Sequence, residues 1–355
     1  MPERIIDADG HVRERDEALV DYLEGRYKDL MHDPTHAFFP SVTSSTNALR
    51  DPHIHTRHSV ELGGQEWLPV LDELGIEQTV LYPTSALGHG EIRDPEWACA
   101  SARAYNRWVH DTYCRVSPRL KAVALLPMQD PSAAAAELSY AVTELGMVGG
   151  MLCAGNSRNC AYGNVEFDPV WGEAERLDVP LALHAHTGET HWASLHLYDT
   201  KGAKIHAVAH PMKNLVQLTS IIMDGVFERF PGARVACLES GSGWVAWLMD
   251  RLDYEAHRSF RSRGVRHLQR SPSEYIREHV YVSCDPSEAL LPASIERLGV
   301  ERFLFASDFP HDAPAWIHED LDEWRERTDL APETKALIMG ENAARFYRLA
   351  PIPTT

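Results

Sequence analysis

The chain has 355 residues, of which 44% are hydrophobic and 24% charged, as in an ordinary globular protein. Its formal net charge of -18 argues against a nucleic-acid-binding protein, which would need a basic face. Six cysteines without a Cys-x-x-Cys pair predict free thiols in a reducing compartment. Because we find no signal-peptide pattern after Met1 and no apolar run long enough to cross a bilayer, we expect a cytoplasmic protein that does not enter the membrane.

Residues 5–11 combine an apolar start with ligand-type side chains at alternating positions. Successive side chains of a strand point to opposite faces, so Asp7, Asp9 and His11 are expected on one face. Carboxylates beside an imidazole suit a hard or borderline cation. The segment taken alone leaves open a strand that simply ends in an Asp-Gly turn.

Residues 12–65 form a long polar segment with several prolines, and a loop of this length in a compact domain is typical of a functional lid. Beyond residue 65, short apolar strands alternate with helical patterns. We predict strands at 79–83, 120–126, 148–153, 180–184, 233–239, 280–284 and 302–308, and helices at 66–74, 95–116, 131–146, 211–230 and 244–257. A further helix is expected to have Asp168 as its N-cap, and Pro211 is expected to open the helix before the sixth strand.

With the first strand included, this pattern gives about eight strand–helix units. The sequence therefore predicts an α/β protein of the (β/α)8 TIM-barrel type, formed by a single domain over residues 1–355 with residues 12–65 as an inserted lid and a His-rich loop after strand 5. A doubly wound open sheet is the alternative. It is less favoured because no Gly-x-Gly-x-x-Gly turn follows the first strand.

Ligand-type residues stand at the carboxyl ends of four predicted strands, which is where barrels of this type build their active sites. These residues are His11, His184, Glu239 and Asp308. A histidine or carboxylate at a buried strand end is costly unless it is paired or bound to metal. Together they predict a divalent metal site, although each one alone is also compatible with a satisfied polar strand end.

Five motifs carry a family resemblance: Asp9-Gly10-His11 and residues 180–184, 225–231, 238–244 and 306–311. As a set they resemble the amidohydrolase-related family, which includes non-oxidative decarboxylases of aminocarboxymuconate semialdehyde and of resorcylate. The resemblance covers nearly the whole chain and implies a (β/α)8 barrel with a divalent metal held by Asp9, His11, His184 and Asp308. Those decarboxylases place a catalytic histidine at the end of the sixth strand, where this chain has Glu239.

His210, just before the expected helix start at Pro211, can point into the barrel mouth and pair with Glu239. Six ligands are more than one ion needs if a position is to stay open for chemistry, so we expect two metals, with two Fe as the best match to mixed carboxylate and histidine ligation. In this respect the chain is similar to a branch of the same superfamily that contains the di-iron monooxygenase hydroxylating a diterpenoid CoA thioester in platensimycin biosynthesis.

The leading expectation is therefore a non-haem di-iron monooxygenase acting on a small molecule, with catalytic roles for Glu239, Asp308 and His210. One alternative is a hydrolase with a single Zn or Mn ion, in which Glu239 or Asp308 moves the proton. The other is a non-oxidative decarboxylase of a small carboxylic acid. A non-enzymatic metal-stabilised protein is disfavoured, because structural metal sites are usually closed and rich in sulfur.

Several residues are expected around this centre. Asp7 and His311 are predicted to orient ligands, and His186 to contact substrate or serve as a further ligand. The one dense basic run, which contains Arg261, Arg263 and Arg266, is either a solvated face or a clamp for an anionic group such as the phosphates of CoA. His191, His196 and His206 are expected to be plain surface residues. The pattern is compatible with a homo-oligomer.

Overall fold

The computed structural model describes residues 4–31, 37–40, 62–184, 203–258, 265 and 267–352. Within these ranges, buried strands alternate with helices along the chain. The strand segments are β1 (Ile6–His11), β2 (Gln78–Tyr82), β3 (Leu120–Ala122), β4 (Ala124–Leu125), β5 (Gly150–Cys153), β6 (Leu181–His184), β7 (Val235–Leu238), β8 (Val280–Ser283) and β9 (Phe303–Leu304).

All of the strand pairings are parallel, in the orders β1-β2-β3 and β4-β5-β6-β7-β8-β9. β3 and β4 are two halves of one strand that changes partner at Val123, whose N–H donates to the Leu81 carbonyl at 3.2 Å, while the N–H of Ala124 donates to Gly149 at 2.8 Å. The nine segments therefore make eight barrel strands.

Backbone hydrogen bonds join the first strand to the chain that follows the last one. The N–H of Ala8 donates to Phe305 at 2.9 Å, and the N–H of Asp308 donates to the Asp9 carbonyl at 3.0 Å. These bonds close the ring of parallel strands, so the predicted (β/α)8 fold is confirmed. The described strands are buried along nearly their whole length, as expected when helices cover a closed barrel.

Helices connect the strands on the outside. They are α1 (Asp16–Val20), α2 (Arg26–Leu30), α3 (Gly64–Leu74), α4 (Pro95–Val109), α5 (Pro131–Thr143), α6 (Asp168–Leu177), α7 (Ala203–Met223), α8 (Val226–Arg229), α9 (Gly243–His257), α10 (Pro272–His279), α11 (Leu291–Leu298), α12 (Pro314–Glu326), α13 (Pro332–Ala336) and α14 (Asn342–Tyr347). No helix among the described residues has both the length and the apolar character needed to cross a membrane.

Two predicted helix starts were wrong. Asp168 is the first residue of α6 and does not cap it, because a short turn at Val165–Phe167, capped by Asn164, runs directly into the helix. The Asp168 carboxylate instead accepts hydrogen bonds from Arg229 at 2.9–3.1 Å. Pro211 lies inside α7, which begins at Ala203, about two turns earlier than the proline suggested.

The predicted lid falls only partly on described residues. Its described part contains α1 and α2, and Asp16 accepts a hydrogen bond from the N–H of Phe38 at 2.9 Å. Residues 32–36 and 41–61 of this segment, and the His-rich loop at residues 185–202, lie outside the described ranges. Lid function for this segment stays a prediction.

Candidate metal centre

The carboxyl ends of several strands meet at one mouth of the barrel. His11 and His184 are the last residues of β1 and β6, Glu239 follows β7 directly, and Asp308 lies in the turn after β9. A cavity of about 490 Å³ opens here and is lined in part by Asp9, Glu239 and Asp308. Its volume is in the range of small-molecule binding sites.

Four of the predicted ligands form one cluster. Oδ1 of Asp9 lies 3.5 Å from Nε2 of His11 and 3.4 Å from Nε2 of His184, and all three side chains are buried. Oδ1 of Asp308 lies 3.2 Å from Nε2 of His11. Two carboxylates and two imidazoles thus face one another at the base of the cavity.

The hydrogen bonds around His11 leave one nitrogen for a metal. Nδ1 of His11 lies 2.7 Å from the carbonyl oxygen of Pro83, so Nδ1 carries the proton and Nε2 presents its lone pair to the cluster. Within the described chain, neither Nε2 of His11 nor Oδ1 of Asp9 makes a hydrogen bond. Buried polar atoms without partners are costly, and a divalent cation would satisfy both of these. The residues therefore fit a divalent metal.

Asp7 lies below this cluster and binds protein groups. Its carboxylate accepts hydrogen bonds from Oγ1 of Thr79 at 2.6 Å, from N and Oγ of Ser307 at 2.8 Å each, and from the N–H of Asp9 at 3.2 Å. Burial raises the pKa of Asp7 to about 6, although these hydrogen bonds oppose the shift. Asp7 thus ties β1, β2 and the turn after β9 together beneath the ligands.

Asp308 and His311 form a hydrogen-bonded pair beside His11. Nδ1 of His311 donates to Oδ1 of Asp308 at 2.8 Å, and its Nε2 lies 3.0 Å from Oγ1 of Thr84. The His311 ring packs on the His11 ring with centroids 4.0 Å apart. Burial opposes the charge on Asp308, but His311 and His11 outweigh it and hold the pKa of that carboxyl below its ordinary value. Asp308 also has φ of 50°, a strained conformation of the kind that is common at functional sites.

The carboxylates act on the imidazoles in turn. Burial tends to lower the pKa values of His11 and His184, but the neighbouring carboxylates outweigh burial and raise both above the ordinary value. Asp9 and Asp308 act on His11, and Asp9 and Glu239 act on His184. A metal must displace these protons to bind, so metal affinity at this centre will fall as the pH falls.

A second cluster adjoins the first. Glu239 faces three imidazoles: its Oε1 lies 3.4 Å from Nε2 of His206, and its Oε2 lies 3.6 Å from Nε2 of His210 and 3.9 Å from Nδ1 of His184. His206 and His210 are one turn apart on α7, so both point the same way. Burial tends to raise the pKa of Glu239, but His210 and the other imidazoles lower it to about 2. Burial lowers the pKa of His210 to about 4.

Sequence reasoning missed His206 and misplaced the start of the helix that carries it. The signal that could have revealed it is the spacing of His206, His210, Asn214 and Gln217, which puts polar side chains on one face of α7. Asn214 and Gln217 are buried there and donate to the carbonyls of Leu238 and Ala154 at 2.9 Å each.

The predicted substrate contacts lie outside the described residues, namely His186, Arg261, Arg263 and Arg266. The described arginines that flank the basic run are held locally. Arg258 donates to the hydroxyl of Tyr254 at 2.7 Å, and Arg270 pairs with Glu278 and lies over the ring of Tyr275. The CoA clamp therefore stays a prediction.

Comparison with known proteins gives a family match and a set of relatives. The amidohydrolase family model Amidohydro_2 matches residues 50–349. Gamma-resorcylate decarboxylase of Polaromonas sp. is 26% identical over 297 residues, which is 79% of this chain and 86% of that protein. The enzyme of the same name from Rhodococcus jostii is 28% identical over 299 residues, with the same two shares covered.

Solved structures show the same fold. The 5-carboxyvanillate decarboxylase of Novosphingobium aromaticivorans, complexed with manganese and 4-hydroxy-3-methoxy-5-nitrobenzoic acid, matches with a TM-score of 0.78 at 20% identity and covers 98% of this chain and 96% of that one. Dihydroxybenzoic acid decarboxylase from Polaromonas sp., with bound manganese and 2-nitroresorcinol, matches with a TM-score of 0.75 at 21% identity over 97% of both chains. These relatives favour the decarboxylase alternative over the di-iron monooxygenase that the ligand count suggested.

Proposed function

The chain belongs to the amidohydrolase family, and from this premise we propose that it is a metal-dependent, non-oxidative decarboxylase of a small hydroxylated aromatic acid. Its place among the metal-dependent enzymes of that superfamily rests on the family match and the shared fold. The observation that carries the proposal is the cluster of buried Asp9, His11 and His184 with half-buried Asp308 at the base of a cavity sized for a small molecule.

We propose Mn²⁺ as the metal at this cluster, in place of the two iron ions expected from the sequence. Two carboxylates and two imidazoles suit a borderline divalent ion, and the two related decarboxylases described above were solved with manganese. When bound, the ion would supply Lewis-acid binding and polarisation of the substrate's oxygens. Asp9, His11, His184 and Asp308 would hold it.

The reaction replaces the bond between the ring and the carboxylate with a bond to hydrogen and releases carbon dioxide, so a proton must reach the ring carbon. We assign proton transfer to the Asp308–His311 pair at the cavity wall, with the His311 imidazolium as the proton source, because Nδ1 of His311 donates to Oδ1 of Asp308, and Asp308 raises the pKa of His311 although burial opposes this. Glu239 is a poor proton donor, since the three imidazoles around it keep it ionised at neutral pH.

The experiment is a carbon dioxide assay under nitrogen. Purified protein loaded with Mn²⁺ is incubated with 2,6-dihydroxybenzoate and with 5-carboxyvanillate, and carbon dioxide and the phenolic product are quantified. We expect equal amounts of the two products without dioxygen, and loss of turnover in Asp308→Asn. Asp250→Asn is the matched control. It removes an exposed carboxylate that pairs with Arg297, a residue distant in the sequence, and it should keep full turnover.

Two results would contradict this function. Turnover that requires dioxygen and inserts its oxygen into the product would restore the monooxygenase expectation. Hydrolysis of an ester or lactone by the metal-loaded protein, with no carbon dioxide from either acid, would favour the hydrolase alternative.

A further inference from the structure

Glu14 follows the first strand and binds backbone amides at the end of the second strand with both of its carboxylate oxygens. Its Oε1 accepts from the N–H groups of Thr84 and Ala86 at 3.1 Å each, and its Oε2 accepts from those of Thr84 at 3.2 Å and Ser85 at 3.1 Å. Three consecutive N–H groups aimed at one point form an anion-binding arrangement. Burial raises the pKa of Glu14 above its ordinary value, although these hydrogen bonds oppose the shift. The turn after β2 is thus built around this carboxylate.

The peptide group between Pro83 and Thr84 links Glu14 to the metal centre. Its N–H donates to Glu14, and its carbonyl oxygen accepts the proton on Nδ1 of His11 at 2.7 Å. Because a trans peptide group is planar, its N–H and its C=O point in opposite directions, and fixing one of them aims the other. Hydrogen bonds that follow one another in a chain also polarise and strengthen each other. One peptide group therefore carries the effect of the Glu14 carboxylate to the His11 ring.

The same turn supports the imidazole beside His11. Oγ1 of Thr84 lies 3.0 Å from Nε2 of His311 and donates to the carbonyl of Val12 at 2.6 Å. Since Glu14 holds the N–H of Thr84, it also fixes the backbone from which this hydroxyl extends. The turn thus supports His11 through its carbonyl and His311 through its side chain.

We propose that Glu14 is a positioning residue of the metal centre, which acts through the Pro83–Thr84 peptide group to orient His11 and to make its Nε2 a stronger metal ligand. Histidines that bind metals usually donate their second N–H to a carboxylate or a carbonyl, which fixes the tautomer and raises the basicity of the ligand. Here the carbonyl transmits the influence of a carboxylate that lies one peptide group away. Glu14 falls in the segment 12–65 whose length suggests a lid, but its contacts are those of a support for the site.

The test measures the Mn²⁺ affinity of Glu14→Gln. Glutamine keeps the shape of the side chain, but its NH₂ group replaces one of two oxygens that each accept two N–H bonds, so donors would then face donors. Protein stripped of metal is titrated with Mn²⁺, and free Mn²⁺ is followed by paramagnetic resonance. We expect the dissociation constant to rise about 10-fold, as is typical when a partner of a metal ligand is removed. In protein loaded with diamagnetic Zn²⁺, the resonance of the Nδ1 proton of His11 should move upfield as its hydrogen bond weakens.

Glu137→Gln is the matched control. Glu137 is a buried carboxylate that also uses both oxygens, accepting from Nε of Arg103 at 2.7 Å and from Nδ2 of Asn106 at 2.8 Å, and it lies on α5 away from the described cavity lining. Its substitution should lower the free energy of unfolding and leave the Mn²⁺ affinity of the folded protein unchanged. Urea unfolding of the metal-free proteins gives the folded fraction of each.

If Glu14→Gln does not fold, Glu14→Asp takes its place. Aspartate keeps the charge but draws the carboxylate back by one methylene group, so it lengthens the bonds to the three N–H groups and should also weaken Mn²⁺ binding.

An unchanged Mn²⁺ dissociation constant in the folded Glu14 variant, or an equal rise in Glu137→Gln, would overturn the role of Glu14. This readout does not depend on turnover, whereas the expected fall in kcat of about 10-fold with unchanged KM rests on the proposed function. If neither acid releases carbon dioxide while Glu14→Gln binds Mn²⁺ more weakly, the proposed function fails and the role of Glu14 stands. If the wild type releases carbon dioxide and Glu14→Gln equals it in Mn²⁺ affinity, the proposed function stands and the role of Glu14 fails.

Discussion

The two histidine–carboxylate clusters of the barrel mouth differ most in what supports them. The cluster of Asp9, His11 and His184 sits on strand ends, is fully buried, and has His11 fixed by the carbonyl of Pro83 at 2.7 Å. The cluster of His206, His210 and Glu239 depends on a helix, and His206 is 58% exposed. Ligands that neighbours hold in place lose less freedom when metal binds, so the strand-end cluster should bind its ion more tightly.

The largest effect is expected from breaking the supported cluster. His11→Ala removes the imidazole that faces both Asp9 and Asp308, so the metal ion held by this cluster should be lost. Turnover should fall by roughly 10³-fold or more, since Lewis-acid chemistry is lost together with the ion. Metal content after gel filtration and the rate of carbon dioxide release measure the two effects.

His279→Ala is the control for that variant. His279 is buried like His11, and its Nδ1 likewise lies on a backbone carbonyl, that of Ala233 at 2.9 Å, but Phe227 stacks on its ring. This variant should lose stability and keep its metal and its turnover per folded molecule. Equal loss of metal in both variants would show that the His11 effect is only unfolding.

The second prediction sharpens the comparison with His89, a buried imidazole that lies against a backbone carbonyl. His89 is fully buried with Nε2 3.0 Å from the carbonyl of Ala98, and burial lowers its pKa from 6.5 to about 4. The folded state therefore disfavours the proton. The corresponding stability is present above pH 6.5 and is lost as the pH falls toward 4, by roughly 3 kcal/mol in total.

Urea unfolding of wild type and His89→Gln at pH 7 and pH 4.5 measures this contribution. Glutamine keeps a donor for Ala98 but does not titrate, so the variant should lose less stability on acidification than the wild type. Both proteins are measured with the same metal loading, which makes proton binding elsewhere common to the two. Identical acid dependence in the two proteins would mean that His89 is not the buried neutral imidazole described above.

The strand-end ligands could be predicted from sequence because alternation and the barrel rule act locally. Asp9, His11, His184 and Asp308 each lie at or just after the carboxyl end of an apolar segment, and parallel strands bring such ends together whatever the loops do. Their resemblance to family motifs pointed to the same residues. Asp7 could be placed on the same face, but its four hydrogen-bond partners come from β1, β2 and the turn after β9, which no local pattern reveals.

The histidines on α7 were harder to place from the sequence, because the rule that a proline opens a helix was misleading here. The residue before a proline is usually pushed out of helical conformation, which made Pro211 look like a helix start and placed His206 in a loop. In the structure α7 continues through Pro211, which lacks the N–H that would donate to the carbonyl of Ala207, and Ala207 lines the open cavity. Packing of the buried face of α7 against the strand ends outweighs that single missing bond.

The third prediction concerns Thr84, which contacts the Asp308–His311 pair but is not one of the proposed metal ligands. Oγ1 of Thr84 lies 3.0 Å from Nε2 of His311 and donates to the carbonyl of Val12 at 2.6 Å. Thr84→Val keeps the shape and removes both contacts. We expect turnover to fall roughly 10-fold, with metal content intact and the pH profile shifted, because the partners of metal-centre residues tune their basicity. Thr143→Val, at an exposed helix position where Oγ1 donates to the carbonyl of Ser139 at 2.9 Å and lies 3.3 Å from Oε1 of Glu144, should change neither quantity.

The smallest effect is expected at the basic run, whose Arg261, Arg263 and Arg266 lie outside the described residues. A phosphate-bearing CoA thioester would depend on such charges, and their replacement by glutamine would raise KM steeply, more at low salt than at high salt, because exposed charges are screened within about 10 Å at 0.1 M salt. A small aromatic acid has one carboxylate to place, and the proposed metal ion would already attract it. For the triple variant with 2,6-dihydroxybenzoate we therefore expect KM to change by less than about threefold at any salt concentration, within the range of weak surface charge effects. A steep, salt-dependent rise in KM would return the basic run to the role of an anion clamp and extend the functional mouth beyond the two clusters.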